Sequence, residues 1–234
     1  MKAFVIYIKH HVESELAAKE CLESCEGRGF EAELFEGVTP NTLALWDNHY
    51  KLKPIPNSRA ESYFKGDKKK HDTKKSCFTN HVILWKKCLE LKESIAVLEH
   101  DALCKRPWEN LEFEHVLCMN MNASMQHNRN LWKHFKGTYT YSSNGKTEIL
   151  NTDDNYKFRY WKDNMFKDGV CIPGTASYAV TPAGAEKLLD TAFNYGWDQS
   201  DFFINGKNIT LQHASPEYFE FSGDNLRTSH GFKI

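Results

Sequence analysis

The chain has 234 residues, and its 30 lysines and arginines nearly balance 31 aspartates and glutamates, which gives a formal net charge of −1. This length suits one α/β domain, and the balanced charge excludes a strong overall field that would attract or repel nucleic acid. The seven cysteines include no C-x-x-C pair, so neither a zinc ribbon nor a disulfide framework is indicated and a reducing compartment is expected.

The N-terminus predicts a strand, a helix and a second strand. "KAFVIYI" is rich in β-branched and aromatic residues, as a buried strand is, and it is too short for the core of a signal peptide. "VESELAAKECLESC" follows with Val12, Leu16 and Cys21 at helical spacing, and "FEAELFEGV" alternates as a strand does. This order is typical of a βαβ opening. Because no apolar run approaches the ~18 residues that cross a bilayer, we expect one cytoplasmic domain over residues 1–234.

Residues 37–75 interrupt the pattern with prolines and the basic run "KGDKKKHDTKK". One interpretation is a solvated excursion, because a lysine run usually faces water. The other is a functional segment, because long irregular loops inside compact domains commonly carry function. We predict a flexible basic flap at about 37–75, which binds the acceptor under the second interpretation. A helix is predicted after it, in "SCFTNHVILWKKCLELKES", with Ser76 or Thr79 as its N-cap.

A buried strand over 95–98 ends abruptly on Glu99, His100 and Asp101. Ligands of open α/β sheets bind outside the carboxyl ends of the strands, and alternate residues of an extended segment point the same way. Two carboxylates at one spot repel each other unless a positive charge lies between them. Mg²⁺ and Mn²⁺ take oxygen ligands and bridge to substrate phosphates. The triplet therefore predicts a metal clamp on a diphosphate, with a turn carrying two solvated acids as the alternative.

The later elements follow from periodicity and turn chemistry. "EHVLCMNM" predicts a short strand, and Asn144-Gly145 predicts a hairpin turn. "GVCIPGTASYAVTPAGAEKLLDTAF" predicts a strand and then a helix, because Thr181 is a favoured N-cap and Pro182 a favoured first helical residue.

Three further residues are candidates for the site. Gly174 permits a close approach of the backbone to a ligand. Asp198 and Asp201 follow an aromatic residue in "GWDQSDFFIN". An aspartate in a cleft is a reasonable general base, whereas an aspartate at a helix start is an ordinary cap. Both interpretations stay open on the residues alone.

In order and wording, these segments resemble glycosyltransferase family 25, which includes lipopolysaccharide and collagen glycosyltransferases. "AFVIYIKHHVESELAAK", "CEGRGFEAELFEGVTP" and "SCFTNHVILWKKCLELKESIAVLEHDA" resemble the family's opening strands, its histidine helix and its acidic strand end. "GTASYAVTPAGAEKLL", "GWDQSDFFIN" and "ASPEYFEFSGDNLRTSH" resemble its later segments. The likeness covers nearly the whole chain.

The resemblance implies a GT-A fold, which is an α/β fold with a Rossmann-like mixed sheet flanked by helices. It implies inverting transfer of a sugar from a nucleotide diphosphate sugar, with UDP as the expected nucleotide. Asp101 and Glu99 match family acids and become the expected ligands of Mn²⁺ or Mg²⁺, with His213 as a late ligand and His230 as its competitor. Asp198 matches the expected general base. The expected donor-binding residues are Tyr7, Ile8, Lys9, His81, Glu99, His100 and Gly174.

The chain also departs from the family pattern. His100 replaces the middle acid of the triplet, and Asn80 replaces a serine beside His81. Tyr7 and Ile8 stand where the family has asparagine and leucine, so donor recognition is expected to differ.

The acceptor stays open between an oligosaccharide, as in lipopolysaccharide biosynthesis, and hydroxymethylated phage DNA. The run "KGDKKKHDTKK" and the aromatic, basic run "RNLWKHFKGTYTY" favour the DNA alternative, because they could contact phosphates and stack on bases. A non-catalytic carbohydrate- or nucleotide-binding relative and a metal-dependent phosphoesterase are the alternatives from other classes.

Overall fold

The computed structural model describes residues 1–120, 147–151, 159–172 and 174–221. Its strands and helices alternate along the chain. The strands are β1 (Lys2–Tyr7), β2 (Glu31–Glu36), β3 (Ile95–Glu99), β4 (Ala102–Cys104), β5 (Val116–Cys118), β6 (Glu148–Asn151), β7 (Ser177–Val180), β8 (Leu211–Ser215) and β9 (Phe219–Phe221). The helices are α1 (Val12–Cys25), α2 (Leu43–Tyr50), α3 (Arg59–Gly66), α4 (Lys68–Leu91), α5 (Pro182–Tyr195) and α6 (Ser200–Phe203).

Seven strands form one mixed sheet in the order β2-β1-β3-β7-β5-β8-β6. β1 is parallel to both β2 and β3, and β7 runs antiparallel to β3 and to β5. β8 is parallel to β5 and antiparallel to β6, while β4 and β9 form a separate antiparallel pair. The predicted class, an α/β fold with a mixed sheet flanked by helices, is confirmed, and so is the βαβ opening.

The sheet is buried on both faces, because successive side chains of β1 and β3 enter different hydrophobic clusters. Phe4 and Val97 pack on the face covered by α4, together with Phe78 and Trp85. Val5, Ala96 and Leu98 pack on the opposite face with α1. A strand covered on both faces reads as a continuous apolar run, which is why the sequence located β3 correctly.

The segment 37–75, predicted as a flexible basic flap, contains regular structure: α2, α3 and the first turns of α4. α4 begins at Lys68 rather than near Ser76, and the carboxylate of its N-cap Asp67 accepts a hydrogen bond from the backbone of Lys70. Lysine is a good helix former. Lys75 is buried and its Nζ lies 2.7 Å from Asp47 Oδ1. Tertiary contacts therefore fold the basic run into a helix.

Two other local predictions have different outcomes. Thr181 caps α5 as predicted, since its side chain accepts a hydrogen bond from the backbone N–H of Gly184. In α1 the predicted apolar stripe is correct at Cys21, which is fully buried, and wrong at Val12 and Leu16, which are 68% and 55% exposed. The other buried side chains of α1 are small: Ser14, Ala17, Ala18 and Cys25. The predicted hairpin at Asn144-Gly145 lies outside the described residues. No helix in the described part of the chain is long and apolar enough to cross a membrane.

Gly196 fixes the path of the chain into the segment that carries Asp198. Its φ is +112°, and a Cβ placed there would lie 2.1 Å from the carbonyl oxygen of Lys53. The next residue, Trp197, donates its backbone N–H to that same carbonyl at 2.9 Å. A side chain at position 196 would therefore clash with backbone that the segment needs for pairing.

We expect Gly196→Ala to lower the free energy of unfolding by about 2–4 kcal/mol, the combined cost of a strained backbone and an overpacked contact. The matched control is Gly66→Ala at the end of α3, where an added Cβ meets nothing within 4 Å. The control should change the free energy by less than about 1 kcal/mol. Urea unfolding of both variants measures the difference, and equal midpoints would contradict the clash.

Candidate active site

Five charged side chains lie near the edge of the sheet where β1 and β3 end: Arg59, Lys74, Glu99, Asp101 and Asp201. The region around them is called the cleft. The two strands are parallel neighbours, and Ile6 is paired with Glu99 in their register. Tyr7 and Ile8 therefore leave β1 beside the point where Glu99 leaves β3. This edge is where open α/β sheets bind ligands.

Glu99 is tied to the segment that precedes β7. Its Oε1 accepts a 2.6 Å hydrogen bond from the hydroxyl of Thr175, and its backbone N–H donates to the carbonyl of Ala176 at 2.8 Å. Gly174, with φ +116°, immediately precedes this contact. Burial raises the pKa of Glu99, the hydrogen bond from Thr175 and the charge of Lys74 oppose that rise, and the charge of Asp201 adds to it.

Asp101 is 4% exposed, and its Oδ1 has no hydrogen-bond partner among the described residues. Burial and the negative charge of Glu99 raise the pKa of Asp101 well above its ordinary value. The two carboxylates thus oppose each other's ionisation, as the sequence predicted for two acids on one strand end. A cation between them would relieve this repulsion.

His100 connects the end of β3 to the start of α1. Its Nδ1 lies 3.3 Å from the hydroxyl oxygen of Ser14, which also accepts the backbone N–H of Ile8 at 2.8 Å. Burial lowers the pKa of His100 to about 4, so this imidazole is neutral at pH 7. The contacts hold the carboxyl ends of β1 and β3 together.

Two basic residues reach the cleft from helices. Lys74 of α4 is 8% exposed, and its charge lowers the pKa of both Glu99 and Asp201. Arg59 of α3 places its guanidinium carbon 4.3 Å from the ring centre of Phe202 and 5.7 Å from that of Trp161. Its charge also lowers the pKa of Asp201, although burial has the larger, opposite effect and leaves that pKa raised. The cleft therefore holds acids and bases in close electrostatic contact.

Asp198 is fully buried, and three donors engage its carboxylate. Oδ1 accepts the backbone N–H groups of Ala60 at 3.0 Å and Gln199 at 2.9 Å, and Oδ2 accepts the hydroxyl of Tyr160 at 3.0 Å. Burial raises the pKa of Asp198 to about 6, with these hydrogen bonds acting in the opposite direction. Asp198 thus holds the first turn of α3, whereas the helix that follows it, α6, has Gln199 at its N-cap and no side-chain cap.

Asp201 differs from Asp198 in exposure. It is half-buried, its Oδ1 accepts a 3.3 Å hydrogen bond from the side chain of Gln199, and it is within electrostatic range of Glu99, Lys74 and Arg59. Of the two aspartates in "GWDQSDFFIN", Asp201 is the one that is only partly buried, whereas Asp198 is fully buried.

Two other predicted donor-binding residues lie away from the cleft. His81 is 2% exposed, its Nδ1 lies 2.9 Å from the hydroxyl oxygen of Tyr178, and burial lowers its pKa to about 3. It packs inside the core between α4 and β7. Lys9 is exposed and pairs with Glu36 at 2.9 Å.

His213 lies on β8, which β5 and β7 separate from β3. Three strand spacings place its backbone about 14 Å from β3. His213 is fully buried, and burial lowers its pKa to about 3. The structure does not bring His213 to Glu99 and Asp101, and the described residues contain no group of three or more His, Cys, Asp or Glu side chains placed to hold a metal ion. His230 lies outside the described residues.

Sequence reasoning missed Lys74, Arg59 and Thr175. Lys74 was assigned to the solvated basic run, although its heptad relation to His81 and Cys88 puts all three on one face of a helix. Arg59 gave no local signal, because its place in the cleft depends on the packing of α3 against α4. Thr175 could have been found as the residue after Gly174 at the start of a strand.

The fold and the cleft define an α/β protein with a charged ligand site at the carboxyl ends of its parallel strands. The sequence profile of glycosyltransferase family 25, described as an LPS biosynthesis protein, matches residues 1–204. The chain therefore belongs to glycosyltransferase family 25 and is a glycosyltransferase, as its resemblance predicted. The solved structure of mouse xyloside xylosyltransferase 1, in its apo form, is similar at 11% identity over 87% of this chain and 81% of that chain, with a TM-score of 0.36. Comparison with curated proteins found no match.

Asp198 should make stability depend on pH between about 4 and about 6. Its pKa rises from 3.8 to about 6 on folding, so the folded state binds more protons in this range and the free energy of unfolding falls as pH rises. The shift corresponds to about 3 kcal/mol. Asp198→Asn does not titrate, so its free energy of unfolding should fall less with pH than that of the wild type. Urea unfolding at pH 4, 5, 6 and 7 measures both slopes, and parallel curves would contradict the buried carboxyl.

Proposed function

We propose that this chain transfers a sugar from a nucleotide diphosphate sugar to an acceptor hydroxyl, with inversion, in the cleft at the ends of β1 and β3. The observation that carries the proposal is the convergence of Glu99, Asp101 and Asp201 with Lys74 and Arg59 at the ligand edge of the sheet. In the reaction, the bond from the anomeric carbon to the diphosphate oxygen breaks and its electron pair stays on the diphosphate. The acceptor oxygen forms the new bond and its proton passes to a base.

Glu99 and Asp101 are the residues that would hold Mn²⁺ or Mg²⁺. They fit such an ion because Asp101 Oδ1 is a buried oxygen without a partner among the described residues, and because each acid opposes the ionisation of the other. Mg²⁺ is commonly bound by one or two carboxylates and completed by waters and substrate phosphates. When bound, the ion would act as a Lewis acid on the departing diphosphate. His213 is not part of the proposed set.

Two aspartates are candidates for the base that takes the acceptor proton. Asp198 is the residue expected from the family resemblance, but its oxygens already accept three hydrogen bonds. Asp201 is favoured by its partial exposure and by the single long hydrogen bond from Gln199. Its raised pKa increases its affinity for a proton. We propose that Asp201 is the base and that Asp198 positions the segment that carries it.

The acceptor is proposed to be an oligosaccharide, which the description of the family as an LPS biosynthesis protein supports. Trp161 is 65% exposed beside Arg59 and offers an aromatic face next to the proposed base. Hydroxymethylated DNA is the second candidate, because Lys68, Lys69 and Lys70 are exposed at the start of α4. Steep salt dependence of binding to duplex DNA would favour this second acceptor.

A non-catalytic relative and a phosphoesterase remain as alternatives from other classes. The phosphoesterase would need a denser cluster of metal ligands than the described residues provide. Hydrolysis or transfer of a UDP-sugar by the wild-type protein distinguishes a transferase from a binding protein.

The base can be identified by comparing Asp201→Asn with Asp198→Asn, which remove a charge but keep the side-chain shape. We expect Asp201→Asn to lower turnover by about 10²–10⁴-fold while UDP binding stays close to wild type. Asp198→Asn should lose less turnover, because its Oδ1 can still accept both backbone N–H groups. Turnover of a UDP-sugar and calorimetric binding of UDP measure the two effects. A larger loss in Asp198→Asn, with Asp201→Asn near wild type, would return the role to Asp198.

The metal proposal is tested by binding rather than by activity. We expect Mn²⁺ to strengthen UDP binding to the wild type, and Asp101→Asn to lose that gain by at least roughly tenfold. In EDTA the two proteins should bind UDP alike, because the remaining contacts are unchanged. Isothermal titration calorimetry with and without Mn²⁺ gives all four affinities. If Asp101→Asn keeps the full gain from Mn²⁺, Asp101 is not a ligand.

A further inference from the structure

We propose that Lys74 binds the diphosphate of the donor, as a cation that the chain itself supplies in the cleft. This inference rests on the proposed function and names the residue that meets the leaving group. It follows from the position of Lys74 on α4, from its burial and from the absence of a partner for its ammonium group in the described structure.

The position follows from a heptad stripe on α4. Cys88 donates its Sγ–H to the carbonyl of Val180, which is paired with Ile95 at the start of β3. His81, seven residues earlier, contacts the hydroxyl of Tyr178, which is paired with Val97. Lys74 is one further heptad towards the helix N-terminus and lies on the same face. The helix α4 therefore runs antiparallel to β3, so its N-terminal residues lie towards the end of β3 that carries Glu99.

Distances along the two elements agree with this placement. From Cys88 to Lys74 the helix rises about 21 Å, and from Ile95 to Glu99 β3 advances about 13 Å before the chain turns at His100 and Asp101. Lys74 therefore lies past the last residue of β3, on the side where the acidic residues leave the sheet. Consistent with this, its charge acts on Glu99, on Asp201 and on the thiol of Cys77.

The side chain of Lys74 is largely buried, and its ammonium group has no direct partner among the described residues. Lys74 is 8% exposed, yet its Nζ makes no hydrogen bond with the described residues and has none of their carboxylate oxygens within 4.0 Å. The adjacent Lys75 is 7% exposed and pairs with Asp47 at 2.7 Å. An anion in the cleft would supply the partner that Lys75 already has.

A diphosphate is the anion that this cleft would select. The carboxylates of Glu99 and Asp201 repel any anion, so a ligand must meet cations on more than one side. Lys74 on α4 and a divalent ion at Glu99 and Asp101 would face a diphosphate from two sides. The positive charge of Arg59 also acts on Asp201. A monovalent anion would gain from one of these contacts only. Lys74 would also stabilise the charge that develops on the leaving oxygen, as preorganised cations do.

The test uses inorganic pyrophosphate, which reports on the diphosphate site independently of the base and the sugar. Binding is measured by calorimetry both in EDTA and with Mg²⁺ for the wild type, Lys74→Met, Lys74→Arg and the control Lys75→Met. We expect Lys74→Met to weaken pyrophosphate binding about tenfold or more, as loss of a charged hydrogen bond does. Lys74→Arg should restore much of the affinity. Lys75→Met should bind like the wild type.

Cys77 gives a second, independent readout. All seven cysteines lie in the described residues, and Cys77 is the one that is not buried. Pyrophosphate should slow maleimide labelling of Cys77 in the wild type and in Lys75→Met, but not in Lys74→Met. Thermal unfolding of Lys74→Met checks its fold, because the variant also removes a positive charge that acts on Glu99 and Asp201.

The outcomes separate the two proposals. If Lys74→Met and the wild type bind pyrophosphate and UDP equally, the role of Lys74 is wrong and the glycosyltransferase proposal stands. If the wild type binds neither UDP nor pyrophosphate, with or without Mn²⁺, both proposals fail. Weakening in Lys74→Met alone, with recovery in Lys74→Arg, supports the lysine contact.

Discussion

The whole site depends on how β3 ends. Four consecutive residues, Ile95 to Leu98, are completely buried between two helical layers, so the chain can turn polar only where it leaves the sheet. Glu99, His100 and Asp101 are therefore held at an edge with little water, where ionised carboxylates are poorly solvated. Fixed neighbours compensate in part, since Thr175 donates to Glu99 and Ser14 contacts His100. The charge that remains without a partner favours a ligand that brings cations with it.

Three histidines that the sequence singled out, at positions 81, 100 and 213, have pKa values lowered by burial to about 4 or below. At neutral pH they are uncharged and serve as packing and hydrogen-bonding groups. Carboxylates and basic side chains therefore set the electrostatics of the cleft. The resemblance to a family motif therefore did not by itself assign a role to each of these residues.

The sequence predicted the structure correctly where interactions between neighbouring residues determine it. The apolar run before Glu99, the βαβ opening and the Thr181-Pro182 helix start each depend on a few neighbouring residues. The sequence did not predict the structure where contacts between distant segments determine it. Asp198 is buried by Ala60 and Tyr160, which lie 138 and 38 positions away, and no periodicity reports such contacts. His213 was expected near the acids, but strand order separates them, and the basic run was assigned by its charge rather than by its helix propensity.

The helix α4 joins the charged cleft and the hydrophobic core without interruption over 24 residues. Its C-terminal half is locked by Trp85 and Cys88, and its N-terminal half carries Lys74. A continuous helix has no joint at which the cationic end can swing independently. If an anion binds here as proposed, it would meet a helix whose geometry is already set, and little conformational entropy would be lost on binding. Binding at this end of the molecule would therefore use a preformed site rather than one that closes around the ligand.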